Sequence, residues 1–128
     1  MIVDSSALIA VVMQEPGFET LVSTLVGAES TGIGTPTLTE TGIVLAARLG
    51  SDCQGLLLRL LEEFEIAEVP FGERHWREAL RAWSRFGRGR HPANLNFGDC
   101  MSYAVARLAG EPLLFVGNDF AATDLRAA

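Results

Sequence analysis

Between Asp99 and Arg107 the chain carries no charge: Cys100, Met101, Ser102, Tyr103, Ala104, Val105 and Ala106 run on without one. Read with its flanks, "NFGDCMSYAVARLAG" at 96–110 is a helix with almost no polar face. A helix apolar all round has to be covered on every side. That demands a layered fold, with this helix between a sheet or other helices and the rest of the chain. It also raises a question of charge. Asp99 stands in the first turn of the buried helix, and a buried carboxylate without a partner is costly.

The rest of the chain supplies the layers. "MIV" at 1–3 is short, β-branched and apolar, as a buried parallel strand is. "SALIAVVM" reads as a helix ended by Pro16 and Gly17. "FETLVSTLVGA" sets Phe18, Leu21, Val22, Leu25 and Val26 on one helical face. "TGIGTP" has poor strand propensity but falls where a second strand is expected. "TLTETGIVLAARLG" is a helix closed by Gly50. "GLLLRLLEEF" is another helix, and "EIAEVP" is a strand. A helix over 72–86 follows, then the Gly/Pro-rich loop "GRGRHPANLN", the apolar helix, the strand "PLLFVG", and a turn with a short helix in "NDFAATDL". Strands alternating with helices predict an α/β sandwich around a mostly parallel sheet of four or five strands, in a single domain over 1–128.

The bulk properties agree. The chain is 48% hydrophobic, with a mean hydropathy of +0.25, which excludes a disordered chain. "MIVDSS" lacks the basic stretch of a signal peptide, and "ALIAVVM" is far short of the roughly 20 residues that span a bilayer. The expectation is a cytoplasmic protein with no membrane segment. Cys53 and Cys100 lie in apolar helical patterns, without zinc-like spacing, as buried free thiols do.

Charge is unevenly placed. The net charge is −6, and all ten basic residues are arginine. Arg74, Arg77, Arg81, Arg85, Arg88 and Arg90 face one acid, Glu78, within residues 74–90, which gives that segment +5 and leaves −11 elsewhere. Such asymmetry suggests a localised anion site. On the 72–86 helix, Trp76, Ala79, Leu80, Trp83 and Phe86 form an apolar stripe, which predicts that both tryptophans are core. The arginines form a second stripe at i, i+3, i+4 spacing.

In parallel α/β sheets, ligands gather at the carboxyl ends of the strands. Asp4 follows the first strand, and Asp119 lies just past "LLFVG". Glu40 and Asp99 stand in first turns of helices whose N-termini face the same edge. Each has an ordinary structural reading. "TLTE" matches a capping box led by Thr37, "NFGD" one led by Asn96, and "GND" an Asx turn. Together, however, four carboxylates in one cleft repel unless a cation neutralises them. Carboxylate and water ligands suit Mg2+ or Mn2+ rather than zinc. His75 and His91 lie apart from the set, facing solvent or a phosphate.

"MIVDSSALIA", "TLTE", "NFGDCMSYAVA" and "LLFVGNDFAATDL" resemble the acidic motifs of PIN-domain ribonucleases, in particular VapC-like toxins of toxin–antitoxin pairs. The resemblance runs along essentially the whole chain. It implies a PIN-like three-layer sandwich, Mg2+- or Mn2+-dependent endoribonuclease activity, a cognate antitoxin and a homodimer. Asp4, Glu40 and Asp99 match the family's steadiest acids. Many members have a further aspartate where this chain has Gly117; here only Asp119 is present, with Asp124 placed to assist through water. One firmly held ion, rather than two, is the corresponding expectation.

In the mechanism so implied, Asp4 and Asp99 are the main metal ligands. Glu40 ligates or orients the attacking water, and Asp119 completes the shell. Arg77, Arg81, Arg85 and Arg88 contact RNA phosphates, or alternatively form a solvated face or an antitoxin's docking site. Ser6 bonds a phosphate or a carboxylate, or is an ordinary first-turn residue. The apolar helices at 18–26 and 56–64 offer a dimer interface. Receiver domains require a lysine that the chain lacks, and haloacid-dehalogenase-type phosphatases require an aspartate where Ser6 stands. The remaining alternatives are a metal-dependent DNase and a non-catalytic PIN-like binding protein.

Overall fold

The computed structural model describes all 128 residues. Its elements are β1 (Ile2–Val3), α1 (Ser5–Val12), α2 (Phe18–Gly27), β2 (Thr31–Gly34), α3 (Thr35–Leu49), α4 (Gln54–Glu63), β3 (Ile66–Val69), α5 (Glu73–Phe86), α6 (Phe97–Ala109), β4 (Leu113–Leu114) and a 3-10 turn at Phe120–Ala122. The four strands form one parallel sheet in the order β3-β2-β1-β4. The expected α/β sandwich is therefore present, with four strands. No helix is long and apolar enough to cross a membrane.

Side chains alternate across the short strands, so each face of the sheet has its own core. Met1, Val3, Ile33, Ile66 and Leu114 pack with Ala7 and Leu8 of α1 and Leu25 of α2. Ile2 and Leu113 pack on the other face with α5 and α6, through Ala79, Ala82, Phe86, Cys100 and Tyr103–Ala106. A smaller cluster of Ile9, Leu45 and Cys53 seals α1 against α3. Both cysteines are free and buried, as the sequence implies.

The weak strand propensity of "TGIG" has a steric cause. A Cβ on Gly34 would stand 2.8 Å from Val105 Cγ2. Val105 is fully buried on α6, so the missing side chain lets the apolar helix lie directly on the sheet. Gly34→Ala is expected to lower stability by about 1–3 kcal/mol through overpacking, measured by urea unfolding.

Three sequence expectations need correction. The tryptophans are not core: Trp76 is 47% exposed and Trp83 37%. Helix α5 meets α6 through the small residues Ala79 and Ala82, with Phe86. That close approach leaves Trp76, Leu80 and Trp83 on the wall of a groove of about 600 Å³, opposite Phe97 and Met101. Nor does Thr37 cap a helix. Helix α3 begins at Thr35 after Gly34 as its N-cap, with Pro36 in its first turn, and the Thr37 side chain is buried. The "PLLFVG" strand is also shorter than expected, pairing only over Leu113–Leu114.

Candidate functional site

The chain runs outward from β1 to β2 and β3, then returns to place β4 on the other side of β1. The order reverses between β1 and β4, and the crevice beyond the carboxyl ends at such a point is where ligands bind. Asp4 ends β1 at this crevice, 4% exposed. It caps α1, accepting from the Ser6 amide (3.1 Å) and the Ser6 hydroxyl (2.6 Å) on Oδ2. The Ser102 hydroxyl donates to its Oδ1 at 2.5 Å. Ser6 Oγ in turn accepts from the Val116 amide at 3.0 Å, tying the segment after β4 to α1. Ser6 thus bonds a carboxylate, and is more than the ordinary first-turn residue that the sequence also allowed.

Asp99 does two things at once. Its Oδ2 accepts from the Asn96 amide at 3.0 Å, and its own amide donates to Asn96 Oδ1 at 2.9 Å. The capping box predicted at 96–99 is therefore real. Asp99 is also partly buried, and that desolvation pushes its carboxyl up to about 6. The Asn96 amide opposes the rise, while the charges of Asp4, Asp119 and Glu40 add to it. Asp99 thus lies close enough to Asp4, Glu40 and Asp119 to feel the charge of each.

Glu40 reaches this cluster from α3. The Ser5 hydroxyl donates to its Oε1 at 2.7 Å, so it does not fold back on Thr37 as a capping box would require. Its carboxylate lies against Gly98, where a Cβ would fall 2.2 Å from Oε2. Ser5, Gly98 and Ser102 are site residues that the sequence reading missed. The doublet Ser5–Ser6 directly after Asp4 was a usable signal; nothing in the sequence marked Ser102.

Asp124 belongs elsewhere. The Tyr103 hydroxyl donates to its Oδ1 at 2.7 Å, and Arg85 and Arg107 approach its Oδ2 at 3.5 and 3.7 Å. Burial alone would raise its pKa, but the tyrosine and the two arginines outweigh it and hold the carboxyl below the usual range. A lowered folded-state pKa contributes stability above the unfolded value that is lost as pH falls through the folded one. Tyr103→Phe is therefore expected to cost about 1–2 kcal/mol at pH 7, less in strong acid, by chemical denaturation.

The arginines divide similarly. Arg77 pairs with Glu73 at 2.8 Å and Arg81 with Glu78 at 2.9 Å, while Arg85 turns to Asp124. Arg88 has no ion pair and lines the groove beside Asn96 and Phe97. The histidines are partly buried, and each uses Nδ1 in a local backbone hydrogen bond. His75 Nδ1 accepts from the Gly72 amide at 3.1 Å, and His91 Nδ1 accepts from the Ala93 amide at 3.0 Å.

The donor set is all oxygen, as Mg2+ and Mn2+ prefer. No three His, Cys, Asp or Glu side chains are grouped to hold one ion. That spread is compatible with magnesium, which retains several waters and takes one or two carboxylates directly. The like charge concentrated around Asp99 is what a divalent cation would relieve.

The PIN domain family model matches residues 1–125. This chain belongs to the PIN-domain family. Ribonuclease VapC36 of Mycobacterium tuberculosis is 48% identical to this PIN domain over 126 residues, 98% of this chain and 91% of the relative. Ribonuclease VapC28 of the same species is 42% identical, covering 100% and 97%. Ribonuclease VapC of Mycolicibacterium smegmatis is 38% identical, covering 99% and 98%. Among solved structures, M. tuberculosis VapC20, described as a sarcin–ricin loop cleaving toxin, superposes with a TM-score of 0.80 at 18% identity, over 99% of this chain and 97% of that one. A chain of a toxin–antitoxin complex from Klebsiella pneumoniae reaches 0.71 at 14% identity, covering 96% and 92%. These two likenesses concern the fold alone.

Proposed function

We propose that residues 1–128 form a single PIN domain that acts as the toxin of a toxin–antitoxin pair, an endoribonuclease that uses Mg2+ or Mn2+ to hydrolyse RNA phosphodiester bonds. The observation that carries the reading is the gathering of acids beyond the carboxyl end of β1: Ser102 of α6 bonds Asp4, Ser5 beside Asp4 bonds Glu40, and the Glu40 carboxylate lies against Gly98, next to Asp99. The ribonuclease names of relatives at 38–48% identity support the activity.

In this reading Asp4 and Asp99 hold the cation, and Asp119 completes the set. The ion, when bound, neutralises charge at phosphorus and lowers the pKa of water. Glu40, oriented by Ser5, faces the same cleft and can accept a proton from the attacking water. Asp4, fixed by three donors, is a rigid ligand, and Asp119 stands exposed at the start of the 3-10 turn. Arg88 offers a guanidinium to a phosphate next to the first turn of α6. Arg77, Arg81 and Arg85 add a weaker attraction because acids already neutralise them.

The partners we propose are RNA, a cognate antitoxin and a second copy of the chain, in the cytoplasm. The toxin–antitoxin complex among the structural neighbours supports the antitoxin. Val26 on α2 and Leu58 on α4, 72% and 65% exposed, support a dimer through one of those helices.

The test is a labelled RNA, with a DNA of the same sequence beside it, incubated with the protein in Mg2+, in Mn2+ and in EDTA. Cleavage of the RNA alone, abolished by EDTA, is the expected result. Cleavage that persists in EDTA, or that acts on DNA equally, would overturn the assignment.

A further inference from the structure

We propose that Ser102, backed by Thr37, is a positioning residue that sets the Asp4 carboxylate for cation binding. The inference rests on the reading of the acidic cleft as a divalent-cation site. It starts from three buried polar groups in a row. Asp4 is 4% exposed, Ser102 1% and Thr37 2%. Ser102 Oγ lies 2.5 Å from Asp4 Oδ1 and 3.1 Å from Thr37 Oγ1.

The direction of the row follows from counting protons. A serine hydroxyl has one proton to give. Beside an ionised carboxylate, which only accepts, the Ser102 proton goes to Asp4. Ser102 is then an acceptor towards Thr37, so the Thr37 proton points to Ser102. The Thr41 hydroxyl donates to the Thr37 backbone carbonyl and leaves the Thr37 side chain free for this role. The row runs from α3 through α6 to the end of β1, the three elements that bear Glu40, Asp99 and Asp4.

The two oxygens of Asp4 are not equivalent. Oδ2 takes two donors, the amide and hydroxyl of Ser6. Oδ1 takes one, Ser102. With two acceptor sites per oxygen, Oδ1 keeps the site left for a cation, and Ser102 fixes the rotation that aims it. Packing gives no reason for the hydroxyl. Ala104 and Ala106 are equally buried on the same helix with only a methyl group. A buried hydroxyl is justified by its partners, and here the partner is the candidate ligand. Groups that orient a metal ligand are commonly worth 10–100-fold in metal affinity.

The experiment is calorimetric titration of Mn2+ into the wild-type protein, Ser102→Ala and Thr37→Val, with RNA cleavage followed against Mn2+ concentration. Ser102→Ala is expected to weaken Mn2+ binding about 10–100-fold. Its cleavage should largely recover as Mn2+ is raised. Thr37→Val, which removes only the second link, is expected to weaken binding less, in the same direction. A folded Ser102→Ala protein that binds Mn2+ like wild type overturns the proposal and leaves the reading of the cleft intact. Should Ser102→Ala not fold, Thr37→Val decides alone: weaker binding supports the proposal and unchanged binding overturns it. A wild-type protein that binds no Mn2+ overturns the cation reading, and the proposal with it.

Discussion

Asp99→Asn is expected to abolish RNA cleavage while making the protein more stable at neutral pH. The loss of activity, at least about 100-fold, follows from removing a proposed ligand. The gain in stability follows from its pKa. Burial pushes the Asp99 carboxyl from the ordinary 3.8 up to about 6 in the folded protein. Because the folded value is raised, the favourable contribution is complete below the unfolded pKa and is lost as pH rises through about 6. At pH 7.5 the ionised carboxylate therefore opposes folding. Allowing for its partial exposure, that cost is about 1–2 kcal/mol. Asparagine keeps an oxygen for the Asn96 amide, so the cap survives while the charge goes. The variant should unfold at a higher urea concentration than wild type at pH 7.5, and at nearly the same one at pH 4. A merely structural cap would lose stability at both.

Gly98→Ala is expected to separate activity from stability in another way. Alanine in place of glycine within a helix stabilises it by up to about 1 kcal/mol. Here the new methyl group would occupy the place of the Glu40 carboxylate. That carboxylate is the end of a flexible side chain and can swing away, leaving the Ser5 hydroxyl without it. The expected protein melts at or above the wild-type temperature and cleaves RNA at least about 10-fold more slowly. Glu40→Ala in the Gly98→Ala background should then add little, since both changes remove the same group from the cleft. Full activity in Gly98→Ala would show that the position of Glu40 against α6 is incidental.

Much of this was legible in the sequence, and the exceptions have physical causes. The alternation of apolar runs with helical patterns identified every strand and helix, because burial on both faces of a parallel sheet leaves a plain signature. Asp4 and Asp119 were legible because each follows a strand, and Asp99 because it opens a helix at the same edge; Glu40 was legible as an acid near that edge, although α3 begins at Thr35 and places it in the second turn rather than the first. Periodicity failed at Trp76 and Trp83. It marks an apolar stripe but does not say which part of the stripe meets a neighbour, and Ala79 and Ala82 bring α6 too close for the larger side chains to enter. The capping motif misled at Thr37, since "TPTLTE" offers several starts; Pro36, a first-turn residue by preference, was the better guide. Ser102 was invisible because one hydroxyl in an apolar helix looks like any small core residue until Asp4, 98 positions away, is folded against it.

The central claim, that Asp4, Glu40, Asp99 and Asp119 share one field that a divalent cation relieves, is tested most directly by carboxyl carbon NMR of Asp99 across a pH titration. Without divalent metal the resonance should report a midpoint near 6, and with saturating Mg2+ a midpoint well below it. An ordinary midpoint near 3.8 that Mg2+ leaves unmoved would contradict the account.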